Sequence, residues 1–168
     1  MITTKLKGQL VNISGNLLNV GDLAPCITLC SQDLKDTQVG GKKDFIQIIA
    51  TVPSLDTDVC AEETRKFNEK ASSLKGVEVI VVSQDLPFAV GRFCTTEGIE
   101  NIKIASDFRD KSFSKAYGVL IDDSILEGLC ARAIFVVDTK GVIVYKELCD
   151  DITHEPNYKK IYEAVKNA

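Results

Sequence analysis

The sequence predicts an α/β fold with a mixed central sheet flanked by helices, and three observations carry that prediction. Phe45–Ala50, Val77–Ser83 and Ala131–Val137 are continuous apolar runs of strand length, the pattern of strands covered on both faces. Between the first two, Cys60, Thr64, Phe67, Ala71 and Leu74 recur at helical spacing, and helices alternating with strands imply a sheet that is parallel in part. Asp138-Thr139-Lys140-Gly141 separates two strand-like runs and is a hairpin signal, so one side of the sheet is antiparallel.

Taken in order, residues 3–13 alternate around a turn at Gly8 and predict an N-terminal hairpin. A loop with Gly15, Gly21 and Pro25 follows, so 1–24 is expected to be a hairpin-and-loop extension of a single domain spanning 1–168. Ile27–Cys30 is a strand candidate and Gln38-Val39 a weak one. The strand at 45–50 leads into a helix over 60–74, stopped by Gly76. Glu62, Glu63, Arg65, Lys66, Glu69 and Lys70 are assigned to the outer face of that helix, with Glu62 placed to pair with Lys66. After the strand at 77–83, Pro87 sits in the first turn of a second helix, where it is tolerated, and that helix frays near Gly98. A strand at 102–105, a short helix at 110–117, a loop at 119–129, the strands 131–137 and 142–148, and a helix at 155–167 complete the chain.

A chain of 168 residues supports a real hydrophobic core. A net charge of -4 with interspersed signs argues against a nucleic-acid surface. No apolar run approaches the roughly 20 residues of a membrane span, and no signal-peptide segment is visible, so a cytoplasmic location is expected. The six cysteines, Cys26, Cys30, Cys60, Cys94, Cys130 and Cys149, are then expected to be mostly reduced. They form no C-x-x-C, and with a single histidine they do not make a structural zinc set.

The chemistry concentrates in Pro53-Ser54-Leu55-Asp56-Thr57-Asp58-Val59-Cys60. Here a thiol enters the first turn of a helix at the end of a core strand, with Thr57 or Asp58 as N-cap. Unpaired N–H groups and the positive end of the helix dipole both stabilise a thiolate there. A packed apolar cysteine would serve the same position structurally. Arg132, inside an otherwise apolar strand, must be paired if buried; it is either a structural ion pair or a fixed cation beside a reacting group. Cys94 lies late in the second helix, where a fraying end opens cheaply and could bring it to another sulfur. Cys130, two residues before Arg132, would share its strand face. His154 is assigned a surface or capping role.

Pro53, Thr57 and Cys60 form P-x-x-x-T-x-x-C, and with Arg132 they resemble the active site of a peroxiredoxin. Arg65-Lys66-Phe67-Asn68, Leu86-Pro87-Phe88-Ala89, Arg92-Phe93-Cys94, Ala131-Arg132-Ala133 and Ile152-Thr153-His154-Glu155-Pro156 narrow the resemblance to the bacterial thiol peroxidase subfamily. The resemblance covers nearly the whole chain. It implies a thioredoxin-like fold with an N-terminal hairpin extension, and a homodimer that needs no metal or other cofactor. It implies Cys60 as the peroxide-attacking cysteine, which becomes a sulfenic acid. Cys94 would resolve it to an intramolecular disulfide, which a thioredoxin-type dithiol protein then reduces. In this reading Arg132 stabilises the thiolate and orients the peroxide. Thr57 donates to the thiolate and accepts from a peroxide oxygen, and Pro53 shields the site from water. Disulfide formation would require local rearrangement at 55–65 and 88–98. The alternative is a peroxide sensor or redox relay that passes oxidation from Cys60 to a partner protein.

Overall fold

A computed structural model describes residues 2–168. Its main sheet has seven strands in the order β10-β9-β5-β6-β7-β3-β4. They are β3 (Ile27–Ser31), β4 (Asp36–Val39), β5 (Ile46–Thr51), β6 (Val77–Ser83), β7 (Lys103–Ser106), β9 (Ala133–Val137) and β10 (Ile143–Leu148). The centre is parallel, β5 with β6 and β6 with β7, and both flanks are antiparallel. The predicted mixed sheet is therefore observed. The parallel crossovers are α1 (Asp58–Ala71) and α2 (Pro87–Glu97), followed later by α3 (Ser112–Tyr117) and α4 (Tyr158–Asn167).

The period of two sorts the central strands between two cores. Ile48, Ala50, Val79, Val81, Ile134 and Val136 face α1, α2 and α4, where Phe67, Val90, Phe93 and Ile161 complete one cluster. Ile49, Ile80, Val82, Phe135 and Val137 face the other way, onto Phe113 and Tyr117 of α3. Apolar side chains are needed on both faces, so these strands read as continuous runs. Phe113 stacks on Tyr117 at 4.1 Å between ring centroids. Gly118 ends α3 in the left-handed conformation, and a Cβ there would lie 2.2 Å from the Asn16 carbonyl oxygen; glycine is required on both counts.

The N-terminal hairpin is observed as β1 (Ile2–Leu6) and β2 (Gln9–Ser14). It is not a free flap. β2 pairs with β8 (Leu120–Ile121), a short strand inside the segment expected to be an irregular loop. Val11, Ile13, Ile121, Ala131 and Ile152 form a third core beneath this small sheet. Three further boundaries differ from the expectations. Helix α1 starts at Asp58 and ends at Ala71, α4 starts at Tyr158, after Pro156, and Arg132 lies just ahead of β9.

The hairpin turn is tied down by Asp151. Its carboxylate accepts from the Lys7, Gly8 and Thr153 backbone N–H groups at 3.2, 2.9 and 2.9 Å, and from the Thr153 hydroxyl. Burial alone would raise the Asp151 carboxyl, but these donors outweigh it and hold it well below the usual carboxylate range. A depressed folded pKa means the stabilisation is present at neutral pH and is lost as pH falls through the folded value. Asp151→Asn should therefore cost about 2 kcal/mol in urea unfolding at neutral pH. The gap should narrow as the pH drops below about 4.

Candidate active site

Strand β5 ends at Thr51, and the chain turns through buried Pro53 and Leu55 before α1 begins. This turn is held from the neighbouring parallel strand. The Asp85 carboxylate, just past β6, accepts from the Ser54 hydroxyl at 2.7 Å, the Leu55 N–H at 2.8 Å and the Ser83 hydroxyl at 2.8 Å. Thr57 occupies the N-cap position of α1, but its side chain makes no capping hydrogen bond, and Asp58 is the acidic residue of the first turn. The first helical bond runs from Ala61 N–H to the Thr57 carbonyl at 2.9 Å, so the N–H groups of residues 58–60 precede it in the first turn. Cys60 sits there, 0% exposed.

Arg132 reaches Cys60 from the opposite side, and each of its nitrogens has a partner. Nη2 donates to Cys60 Sγ at 3.2 Å, Nη1 to Glu63 Oε2 at 2.7 Å, and Nε to the Ile152 carbonyl at 2.8 Å. The guanidinium is 2% exposed. Burial works against its charge, but Cys60 and Glu63 outweigh this and hold the proton more firmly than usual. A fork of this kind fixes the cation in one place and aims one arm at the sulfur.

Glu63 was assigned to the outer face of α1; the structure instead buries it completely, 0% exposed, against Arg132. It is three residues after Cys60 and four before Phe67, which is inner-face spacing, and that spacing is the signal that could have found it. The Glu62–Lys66 pair is also not formed. Glu62 pairs with Arg65, and Lys66 reaches Glu155 at 2.8 Å. Burial pushes the Glu63 carboxyl up, Arg132 pulls it back, and the balance leaves it at about 7.

Cys60 and Arg132 thus meet, and Pro53 is buried in the turn that leads to them. Thr57 stands exposed at the mouth of the turn, and its hydroxyl donates to the Ser54 carbonyl at 3.0 Å rather than to the sulfur. Cys94 lies on α2, half-buried against the same apolar core as Cys60. Burial raises its thiol pKa. It opens on a groove of about 590 Å³. The end of its helix, where fraying was expected, carries a cap: Gly98, in the left-handed conformation, and Ile99 both donate to the Cys94 carbonyl. All six cysteines are free thiols. Cys130 does not approach the Arg132 site. Its sulfur lies 3.2 Å from the Ser114 hydroxyl and 3.6 Å from Gln84 Nε2, and burial pushes its thiol up to about 12. His154 is exposed beside Asp150. Among the described residues no group of His, Cys, Asp or Glu is clustered to hold a metal ion.

A thiol at a helix N-terminus, held by a buried guanidinium on a mixed α/β sheet, is a thiol-based redox site. Comparisons with known proteins narrow this class. The Redoxin family profile matches residues 19–162. A thiol peroxidase of Aquifex aeolicus is 49% identical over 98% of this chain and 96% of its own length. One of Campylobacter jejuni is 52% identical over 96% of this chain and 91% of its own length. A crystal structure of a peroxiredoxin-like protein from Aquifex aeolicus superposes with a TM-score of 0.95 at 48% identity, covering 98% of this chain and 96% of that one. The chain therefore belongs to the Redoxin family and, within it, to the thiol peroxidases, enzymes of peroxiredoxin type.

Asp85 is the second residue the sequence did not single out, and its carboxylate ties the turn that presents Cys60 to Ser83 at the end of β6. Asp85→Ala should lower kcat/KM for peroxide about tenfold, the equivalent of ~1.4 kcal/mol in the transition state. Far-ultraviolet circular dichroism should be unchanged.

Proposed function

We propose that Cys60 reduces hydrogen peroxide and organic hydroperoxides, that Cys94 resolves the product to an intramolecular disulfide, and that a thioredoxin-type dithiol protein reduces it. The observation that carries this reading is the 3.2 Å contact from Arg132 to the fully buried Cys60 Sγ in the first turn of α1. Attack requires a thiolate and stabilisation of the charge that shifts onto the leaving oxygen. Arg132 supplies a fixed cation for both, and first-turn N–H groups add donors. Thr57, with its proton committed to Ser54, keeps lone pairs available for the peroxide hydrogen. Pro53 and Leu55, both buried, keep water from the sulfur.

The thiolate takes the hydroxyl oxygen of the peroxide; the O–O bond breaks, alcohol or water leaves, and Cys60 becomes a sulfenic acid. Condensation with the Cys94 thiol then releases water. Cys60 is sealed in a helix and Cys94 is packed against the same core, so this step requires the first turn of α1 and the end of α2 to open. Cys94 is the less buried sulfur and borders a groove, which favours it as the atom the external dithiol attacks.

A cytoplasmic location and a homodimer accompany this reading, as does one functional unit over 1–168 with 1–24 as its extension. No helix among the described residues is long and apolar enough to cross a membrane. Exposed Leu86, Phe88 and Ile125 supply apolar surface for an organic hydroperoxide or a second subunit. The relay alternative shares the first step, and no feature of the site favours it.

Intact mass before and after one equivalent of peroxide tests the cycle. Wild type should lose two hydrogens, Cys94→Ser should retain one added oxygen, and Cys60→Ser should not react rapidly. A disulfide through another cysteine in Cys94→Ser would overturn the resolving role.

A further inference from the structure

The buried site holds one fixed cation and two acids, and this sets a charge constraint. Arg132 is 2% exposed, Glu63 and Cys60 are 0% exposed, and the two guanidinium arms divide between them. With both acids ionised the site carries an excess negative charge; with both protonated the cation stands alone. Uncompensated buried charge is strongly unfavourable. One shared proton makes the site neutral.

The surroundings decide where that proton rests. The sulfur accepts from Arg132 Nη2 and belongs to the first turn of α1, at the positive end of the helix dipole. Glu63 Oε1 has no hydrogen-bond partner among the described residues, and an ionised carboxylate oxygen without a donor is costly to bury. The other groups that face Glu63 do not favour its charge. Glu147 and Glu155 add negative potential, and Cys149 and Tyr158 are weak acids. The ammonium of Lys66 is committed to Glu155.

We propose that Glu63 is the proton store of the peroxide site: it holds the proton shared with Cys60 across Arg132 while the sulfur is a thiolate, and releases it when the sulfur is oxidised. This rests on the reading of Cys60 as the attacking sulfur. The burial that lifts Glu63 to about 7 agrees with it.

The balance closes. The thiolate forms an S–O bond to the hydroxyl oxygen and the O–O bond breaks; sulfur is oxidised by two electrons and the peroxide is reduced. The alkoxide or hydroxide takes a proton from water, and Glu63 returns one to water. Arg132 is then paired with the Glu63 carboxylate alone, and the site is neutral before and after. Glu63 acts through Arg132 and the site charge, so it is a positioning residue.

Infrared difference spectra at about pH 6, on the acid side of the raised Glu63 value of about 7, test this. The reduced protein should show a protonated-carboxyl band that disappears when peroxide oxidises Cys60. Glu63→Gln should lack that band. In lightly buffered solution Glu63→Gln should take up one proton from the medium for each peroxide consumed, and wild type none. If Cys60 is oxidised while the acid band persists, or if Glu63→Gln shows the same band, the proposal is wrong. If Glu63→Gln does not fold, the wild-type difference spectrum alone decides. If peroxide does not oxidise Cys60 at all, the peroxidase reading fails instead.

Discussion

The structure depends on one buried guanidinium. Arg132 costs desolvation energy that only well-placed partners can offset, and it has three: a sulfur, a carboxylate and a backbone carbonyl. They lie on two separate parts of the chain. Cys60 and Glu63 come from the first turns of α1, and Ile152 from the segment between β10 and α4. Folding must bring all of them together, because a missing partner would leave a charge buried without compensation. The same constraint that demands these contacts places a permanent cation against the Cys60 sulfur.

Parts of the chain far from the sulfur then acquire a role. The β1–β2 hairpin closes over Asp151, and the Ile152 N–H donates to the Lys5 carbonyl at 2.8 Å, so the extension holds the carbonyl that receives Arg132 Nε. From the other direction, Asp85 anchors the turn that leads into α1, and the Ser106 hydroxyl in turn donates to the Asp85 carbonyl. The thiol is therefore fixed from both the hairpin side and the parallel centre of the sheet. In the proposed cycle the resolving step works against this order, since the turn that fixes Cys60 must open before its sulfur can meet that of Cys94.

Much of this was legible in the sequence. Strands covered on both faces must be apolar throughout, so β5, β6 and β9 could be read directly. A proline and a threonine ahead of a helix, a cysteine in its first turn and a lone arginine in an apolar run marked the candidate site. What escaped were features set by contacts distant in sequence. β8 is two residues long and exists because β2 needs an edge partner. Glu63 was misplaced because its charge suggested solvent while its spacing suggested the core, and only the buried Arg132 resolves that conflict. Thr57 is where the motif places it, but its hydroxyl is directed by the Ser54 carbonyl, a local turn geometry that spacing does not show.

The account rests most directly on what Arg132 does to Cys60. Arg132→Met removes the charge and keeps an unbranched side chain in the core. The measurement is the single-turnover rate of Cys60 oxidation by peroxide in folded protein. A fall of about 10²–10³-fold, the loss expected for removing one preorganised donor to developing charge, is the predicted result. A rate equal to wild type would contradict it and would leave the Arg132 contact as a structural ion pair.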